Sequence, residues 1–170
     1  IKAGCFHHVS SIAAAGLYKG TFTEDMFEEA TGLDNPYYRT KHDSEAVVRR
    51  ETGIRWRIYR PGVVVGHSAT GEMDKVDGPY YFFPAIRQVS SALPGWLRAI
   101  GVRGGSINIV PVDFVVDAMD YLMHLRGHDG ETFFLTDPEG ISTGDLIRVL
   151  LQVSRGPKLS GPLAALAWRI

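Results

Sequence analysis

An α/β fold with a parallel sheet is the class this sequence predicts, on three observations. Cys5 to Ser10 reads as a short buried strand. Asn35-Pro36 then opens a helix, and Arg55 to Tyr59 reads as a second strand closed by Arg60-Pro61-Gly62. Strand, helix and strand within about 60 residues is the parallel pattern, because parallel neighbours need a crossover between them.

Each element has a local reason. The first strand ends at Ser10-Ser11 and gives way to small residues from Ile12 to Gly16, which allow backbone to approach a ligand closely. Residues 17 to 34 are acidic and irregular, with a short helical turn expected around Glu24 to Ala30. Asn35 is a good N-cap, and Pro36 suits the first helical position because its missing N–H would have no partner there. The helix is expected to run to about Arg50, with Gly53 stopping it as the C′ glycine. Val63 to Val65 extend the chain beyond Pro61-Gly62 to Gly66, followed by a polar loop, 67 to 78. After Pro79, Tyr80 to Phe83 lead into an apolar helix ended by Pro94-Gly95. Ser106 to Val110 is expected as a strand, Asp113 as the cap of a helix to Leu125, and Glu131 to Leu135 as a further strand. Ser142 with Asp145 forms a variant capping box opening a helix to Val153.

Composition narrows the function classes. The chain has 170 residues, enough for one domain with a real core. Its 18 basic and 19 acidic residues are interspersed and net −1, so nothing argues for nucleic acid as a partner. The single Cys5 makes no internal disulfide and fits a reducing, cytoplasmic compartment. No signal peptide and no apolar run of about 18 residues is present, so no spanning helix is expected. Ile1 opens almost directly into a strand, and residues 162 to 170 read as a helix still under way. The expectation is therefore a fragment of a longer chain that continues into further domains.

The chemistry centres on the first turns of the Pro36 helix. Tyr37 and Lys41 are four apart and share a face. An ammonium beside a phenol stabilises phenolate and makes the phenol a usable proton donor or acceptor near neutral pH. In parallel α/β sheets ligands sit at the carboxyl ends of the strands. Ser11 and Pro61-Gly62-Val63 lie at such ends, and Tyr37 opens the helix between them. His7 and His8 alternate along a strand with no Cys or carboxylate at metal spacing, so no metal site is expected.

Ser11, then Tyr37-x-x-x-Lys41, then Arg60-Pro61-Gly62 resembles the extended short-chain dehydrogenase/reductase family. The junction Asn108 to Asp113 and the strand end Leu135-Thr136-Asp137-Pro138 resemble its C-terminal half. Phe6 to Leu17, Gly71 to Phe83 and Asn108 to Asp117 are similar to the N-terminal reductase half of bacterial fatty acyl-CoA reductases. The resemblance implies the C-terminal part of a Rossmann-like doubly wound sheet plus a small substrate-binding subdomain. Residues 1–66 would be the active-site half of the sheet, and 67–170 the substrate-binding region mixed with the last sheet elements.

The resemblance also implies roles. Tyr37 would protonate the carbonyl oxygen as hydride arrives, Lys41 would tune Tyr37 and bind the nicotinamide ribose, and Ser11 would orient the substrate oxygen. Ser10, Pro61, Gly62, Val63 and Val64 would line the nicotinamide of NADPH, with NADH as the alternative. Met73, Tyr80 and Phe83 would offer apolar substrate contacts to a fatty aldehyde or acyl-CoA. The rival readings are a sugar-nucleotide epimerase or dehydratase, a 3β-hydroxysteroid dehydrogenase, and a non-catalytic interaction module.

One departure stands out: the family's Gly-rich phosphate-binding turn is absent and is expected upstream of Ile1, and Gly101 to Gly105 is no substitute, because it precedes a strand where the G-x-G-x-x-G turn must follow one and open a helix. The 170 residues by themselves are expected to bind cofactor very weakly and turn nothing over. An incomplete sheet would also offer an unpaired edge, open to self-association as a homo-oligomer.

Overall fold

The computed structural model of the chain describes residues 4–73 and 105–153. In order, the elements are β1 (Phe6–Val9), a 3-10 turn (Ile12–Ala15), α1 (Pro36–Arg50), β2 (Trp56–Pro61), β3 (Val63–Val65), β4 (Ser106–Ile107), β5 (Ile109–Pro111), α2 (Val112–His124), β6 (Glu131–Leu135), β7 (Ile141–Ser142) and α3 (Thr143–Val153). Two compact units are distinguished, Ile1–Gly62 with Phe114–Thr136, and Val63–Asp113 with Asp137–Ile170.

The first unit holds a parallel sheet in the order β1-β2-β6, the α/β class expected. Val9 pairs with Tyr59 and Pro61 with Leu135, so the carboxyl ends of the three strands lie side by side. β2 is central and buried along nearly its whole length. Side chains alternate across it, and each face has its own helix. Arg60 faces α1, where it meets Glu45. Arg57 faces the end of α2, donating to the carbonyls of Leu122, Leu125 (2.7 Å) and Gly127 (2.6 Å). A buried guanidinium thereby satisfies helix-end carbonyls and places positive charge at the negative end of the helix dipole.

α1 starts where Asn35-Pro36 predicts. The Asn35 side chain accepts the Tyr37 N–H at 2.9 Å. Its end differs from expectation. Glu51 is the C-cap in extended conformation, and Gly53 lies beyond it without a positive φ. The two arginines of the last turn, Arg49 and Arg50, suit the helix end electrostatically, so no left-handed glycine is needed there. The expected helical turn at Glu24 to Ala30 is instead two successive tight turns, closed by Met26 N–H to Thr23 O and Ala30 N–H to Phe27 O. This excursion returns to Gly16, which bridges Thr31. Only glycine fits there: φ is +64°, and a Cβ would stand 2.0 Å from the Thr31 carbonyl oxygen.

β1 is shorter than expected and is not buried. Phe6 and Val9 are about half exposed because β1 is the edge strand of the described sheet. Its histidines face opposite ways. His7 Nδ1 meets the Tyr59 hydroxyl at 2.9 Å, and His8 Nε2 meets Ser44 Oγ on α1 at 3.2 Å. Ser44 already donates its proton to Lys41 O at 2.8 Å, so His8 is the donor in that contact, through Nε2–H. Burial holds both histidines below their ordinary pKa.

In the second unit β3 pairs in parallel with β5, and β4 pairs antiparallel with β7. The single strand expected over Ser106 to Val110 is broken at Asn108. Its side chain accepts the Asp137 N–H (3.0 Å) and donates to the Asp137 carbonyl (2.6 Å), replacing a ladder step. Asp113 is not a cap but a residue of the first turn of α2, with both carboxylate oxygens taken by the N–H and hydroxyl of Ser68. These bonds hold its carboxyl below the usual carboxylate range. The capping box forms as expected, with Asp145 N–H bonded to Ser142 Oγ at 3.0 Å. Tyr80, Phe83, the apolar helix that follows them and the chain's closing helix lie outside the described residues.

Two outcomes follow from these contacts. Arg57→Met would leave several helix-end carbonyls without donors. It should cost about 2–4 kcal/mol in urea unfolding. A loss under about 0.5 kcal/mol would show that water replaces the guanidinium freely. For His8 the folded pKa is depressed, so its contribution is full above the unfolded value of about 6.5 and is lost as pH falls below it. His8→Gln should therefore lose less stability than the native protein between pH 7 and pH 5. Equal losses in the two proteins would rule out His8 as a source of the acid sensitivity.

Candidate active site

The side chains predicted to act lie in the first unit, at the carboxyl end of its sheet. β1 ends and the chain turns through Ser10 and Ser11. Ser11 is extended (φ −166°) and caps the 3-10 turn, its Oγ accepting the Ala13 N–H at 3.2 Å. That turn packs against α1, the helix carrying Tyr37 and Lys41. The structure thus brings the Ser11 turn up to the helix that carries Tyr37 and Lys41. Pro61 closes β2, and Gly62 N–H continues the ladder to Leu135 O at 3.0 Å. Val63 and Val64 begin β3 in the second unit. Met73 is half-buried in irregular chain of that unit.

Tyr37 is 54% exposed, its ring edge-on to Tyr38 at 6.3 Å. Among the described residues neither its hydroxyl nor the Lys41 ammonium has a hydrogen-bond or ion-pair partner. The Ser11 hydroxyl proton is likewise unspent. A phenol, an ammonium and a hydroxyl with unused polar capacity, at the end of a parallel sheet, suit the ribose and nicotinamide end of a dinucleotide and a substrate carbonyl. The residues present do not suit the pyrophosphate end, since the sequence has no G-x-G-x-x-G turn.

Beneath these groups lies a feature the sequence reading passed over. Glu45, one turn after Lys41, is fully buried, as is Arg60. The pair is bidentate: Arg60 Nε to Glu45 Oε1 at 3.0 Å and Arg60 Nη2 to Glu45 Oε2 at 2.8 Å. Ser10 donates its hydroxyl to Glu45 Oε1 at 2.5 Å. Arg49, one further turn along α1, stands 3.6 Å from Glu45 Oε2 and bonds Thr132 Oγ1 at 2.7 Å. Arg60 also reaches Met26 O at 3.1 Å and lies between the rings of Phe22 and Phe134, 5.2 and 5.3 Å from their centres. Breaking such a pair by removing one partner generally costs about 3–5 kcal/mol. The signal was present as the spacing Tyr37, Lys41, Glu45, which puts three polar groups on one helix face.

Comparison with known proteins is consistent with this geometry. The chain is 35% identical over 95 residues to L-2-aminoadipate reductase of Saccharomyces cerevisiae, a match covering 55% of this chain and 6% of that protein. The solved terminal R domain from the myxalamid PKS-NRPS biosynthetic pathway has a TM-score of 0.64 at 23% identity, over 86% of this chain and 36% of that one. UDP-glucuronic acid 4-epimerase from Bacillus cereus, solved with NAD, also gives 0.64, at 22% identity, over 92% of this chain and 49% of that one. The structural matches establish a Rossmann-like α/β fold. The chain spans about half or less of each of these relatives. The family model described as Male sterility protein matches residues 1–119, and the chain belongs to that NAD-binding family.

Proposed function

We propose that this chain supplies the proton-donating and substrate-orienting part of an NADPH-dependent reductase acting on a fatty aldehyde or fatty acyl thioester. NADH is the alternative cofactor. The observation that supports it best is the set Ser11, Tyr37 and Lys41, whose hydroxyl, phenol and ammonium groups are unspent among the described residues, at the carboxyl end of a parallel sheet. The relatives favour reduction over epimerisation: L-2-aminoadipate reductase and an aldehyde reductase of Aspergillus flavus are among them. The chain would act within a longer protein, residues 1–66 serving the active site and 67–170 the substrate.

The bound cofactor would supply hydride to the carbonyl carbon. Tyr37 gives its proton to the carbonyl oxygen as negative charge builds there, and Lys41 stabilises the phenolate left behind. Ser11 donates to the same oxygen and fixes its direction. With an aldehyde the product is the alcohol. With a thioester the same addition yields a hemithioacetal, which expels the thiol and leaves the aldehyde. Ser10, Pro61, Gly62, Val63 and Val64 line the nicotinamide in this reading. Met73, Tyr80 and Phe83 would be the residues offering apolar contacts to the acyl chain, the last two lying outside the described residues.

The test is NADPH oxidation by the full-length protein containing this sequence, with a long-chain aldehyde and a long-chain acyl-CoA supplied separately. Tyr37→Phe should lower turnover by about 10²–10⁴-fold on the substrate that is used. The 170-residue chain alone should turn over neither. Undiminished activity in Tyr37→Phe would remove Tyr37 as the donor. Activity confined to a sugar nucleotide would replace the reading by epimerase chemistry.

A further inference from the structure

We infer that Glu45 is a positioning residue for the reaction, the common anchor that sets Ser11, Tyr37, Lys41 and Pro61-Gly62 relative to one another. The inference rests on the reading of Ser11, Tyr37 and Lys41 given above.

One carboxylate touches all three elements that carry those residues. It belongs to α1, one turn after Lys41 and two after Tyr37. Its Oε1 takes the hydroxyl of Ser10, whose peptide leads directly into Ser11. Both its oxygens take the guanidinium of Arg60, whose peptide leads directly into Pro61. Ser10, Glu45 and Arg60 are each 3% exposed or less, so water does not substitute for these bonds. Hydrophobic contacts would hold α1 on the sheet but would let it slide along its axis. A bidentate guanidinium–carboxylate pair does not, because its two parallel bonds fix direction as well as distance. A small shift of α1 along its axis is what would separate Lys41 and Tyr37 from the Ser11 turn, and sub-ångström placement governs rate more than binding.

A merely structural pair would have a different consequence. Exchange of a buried ion pair for apolar side chains of similar volume is commonly tolerated by the fold. In Glu45→Met/Arg60→Met one negative and one positive charge leave together, so the local field near Tyr37 is little changed. Any altered behaviour of Tyr37 then reports geometry.

The experiment uses the full-length protein and compares it with Glu45→Met/Arg60→Met, Glu45→Gln and Tyr37→Phe. Thermal unfolding establishes which variants are folded. In the folded Glu45→Met/Arg60→Met protein, kcat should fall at least tenfold with cofactor KM changed less than threefold. Without cofactor, hydrogen exchange should quicken at Ser10–Ala15 and at Pro36–Ser44, and stay unchanged in β6. Glu45→Gln keeps one acceptor oxygen, enough for Ser10 and Arg60 Nε but not for Arg60 Nη2, and should fall between the double variant and the native protein. A native kcat in the folded Glu45→Met/Arg60→Met protein would overturn the inference while leaving the reading of Tyr37 intact. Full activity in Tyr37→Phe would overturn the reading itself, and the inference with it.

Discussion

A carboxylate with no exposed surface has to be matched by its surroundings, and the match at Glu45 dictates much of the first unit. Its two oxygens accept from Ser10 and from two nitrogens of Arg60, with Arg49 nearby. Removal of one charge from water costs several kcal/mol, and the attraction between the pair only repays this when the remaining polar positions are occupied. Here one position is not: Arg60 Nη1 is buried without a partner among the described residues. The cluster is therefore a poor device for stability alone. Its virtue is geometric, because an uncompensated carboxylate is so unfavourable that α1 has few other ways to sit on β2.

β2 carries this logic to both faces of the sheet. Arg57 and Arg60 are three apart in a strand, so they point to opposite sides. Each guanidinium holds one helix: Arg60 through the Glu45 carboxylate, Arg57 through the carbonyls at the end of α2. The same alternation sorts the histidines of β1. His8 pairs in register with Ile58 and meets α1, while His7 pairs with Arg57 and meets the Tyr59 hydroxyl. Two cations in a central strand would ordinarily argue against burial. They are tolerated because each faces a helix that offers carbonyl or carboxylate oxygens in the right place.

What the sequence made legible follows from which signals are local. Asn35-Pro36 marks a helix start through bonds made within three residues, and α1 begins there. The Ser142–Asp145 box is equally local and opens α3. The parallel sheet was legible because strand and helix periods alternate. Signals that need a partner far along the chain were not. Gly53 resembles a C′ stop, but Arg49 and Arg50 already complement the helix end. Asp113 resembles a cap, but Ser68, 45 residues earlier, takes both its oxygens. The apolar run of β1 resembles a buried strand, but edge position decides exposure, and order in a sheet is not written in one strand. Glu45 and Arg60 went unread for the same reason: a charge count records two ions, and only the fold makes them one pair.

On the proposed reading, the candidate site divides a reductase's work unevenly. Delivery of a proton needs a phenol, a cation and a hydroxyl on rigid elements, and this chain places them on a helix and at a strand end. Retention of a dinucleotide needs backbone N–H groups cradling phosphate at a glycine-rich turn, and the sequence has none. The two tasks are separable because they involve opposite ends of the same cofactor. A chain with only the first would keep its catalytic geometry without cofactor, provided that geometry is fixed from below. The Glu45 cluster is buried under the helix, and its members Ser10, Glu45, Arg49 and Arg60 all lie within the first unit. If Glu45 positions α1 as proposed, the geometry proposed for proton donation is preorganised by the protein's own charges, and cofactor binding would have little left to arrange on that side of the reaction.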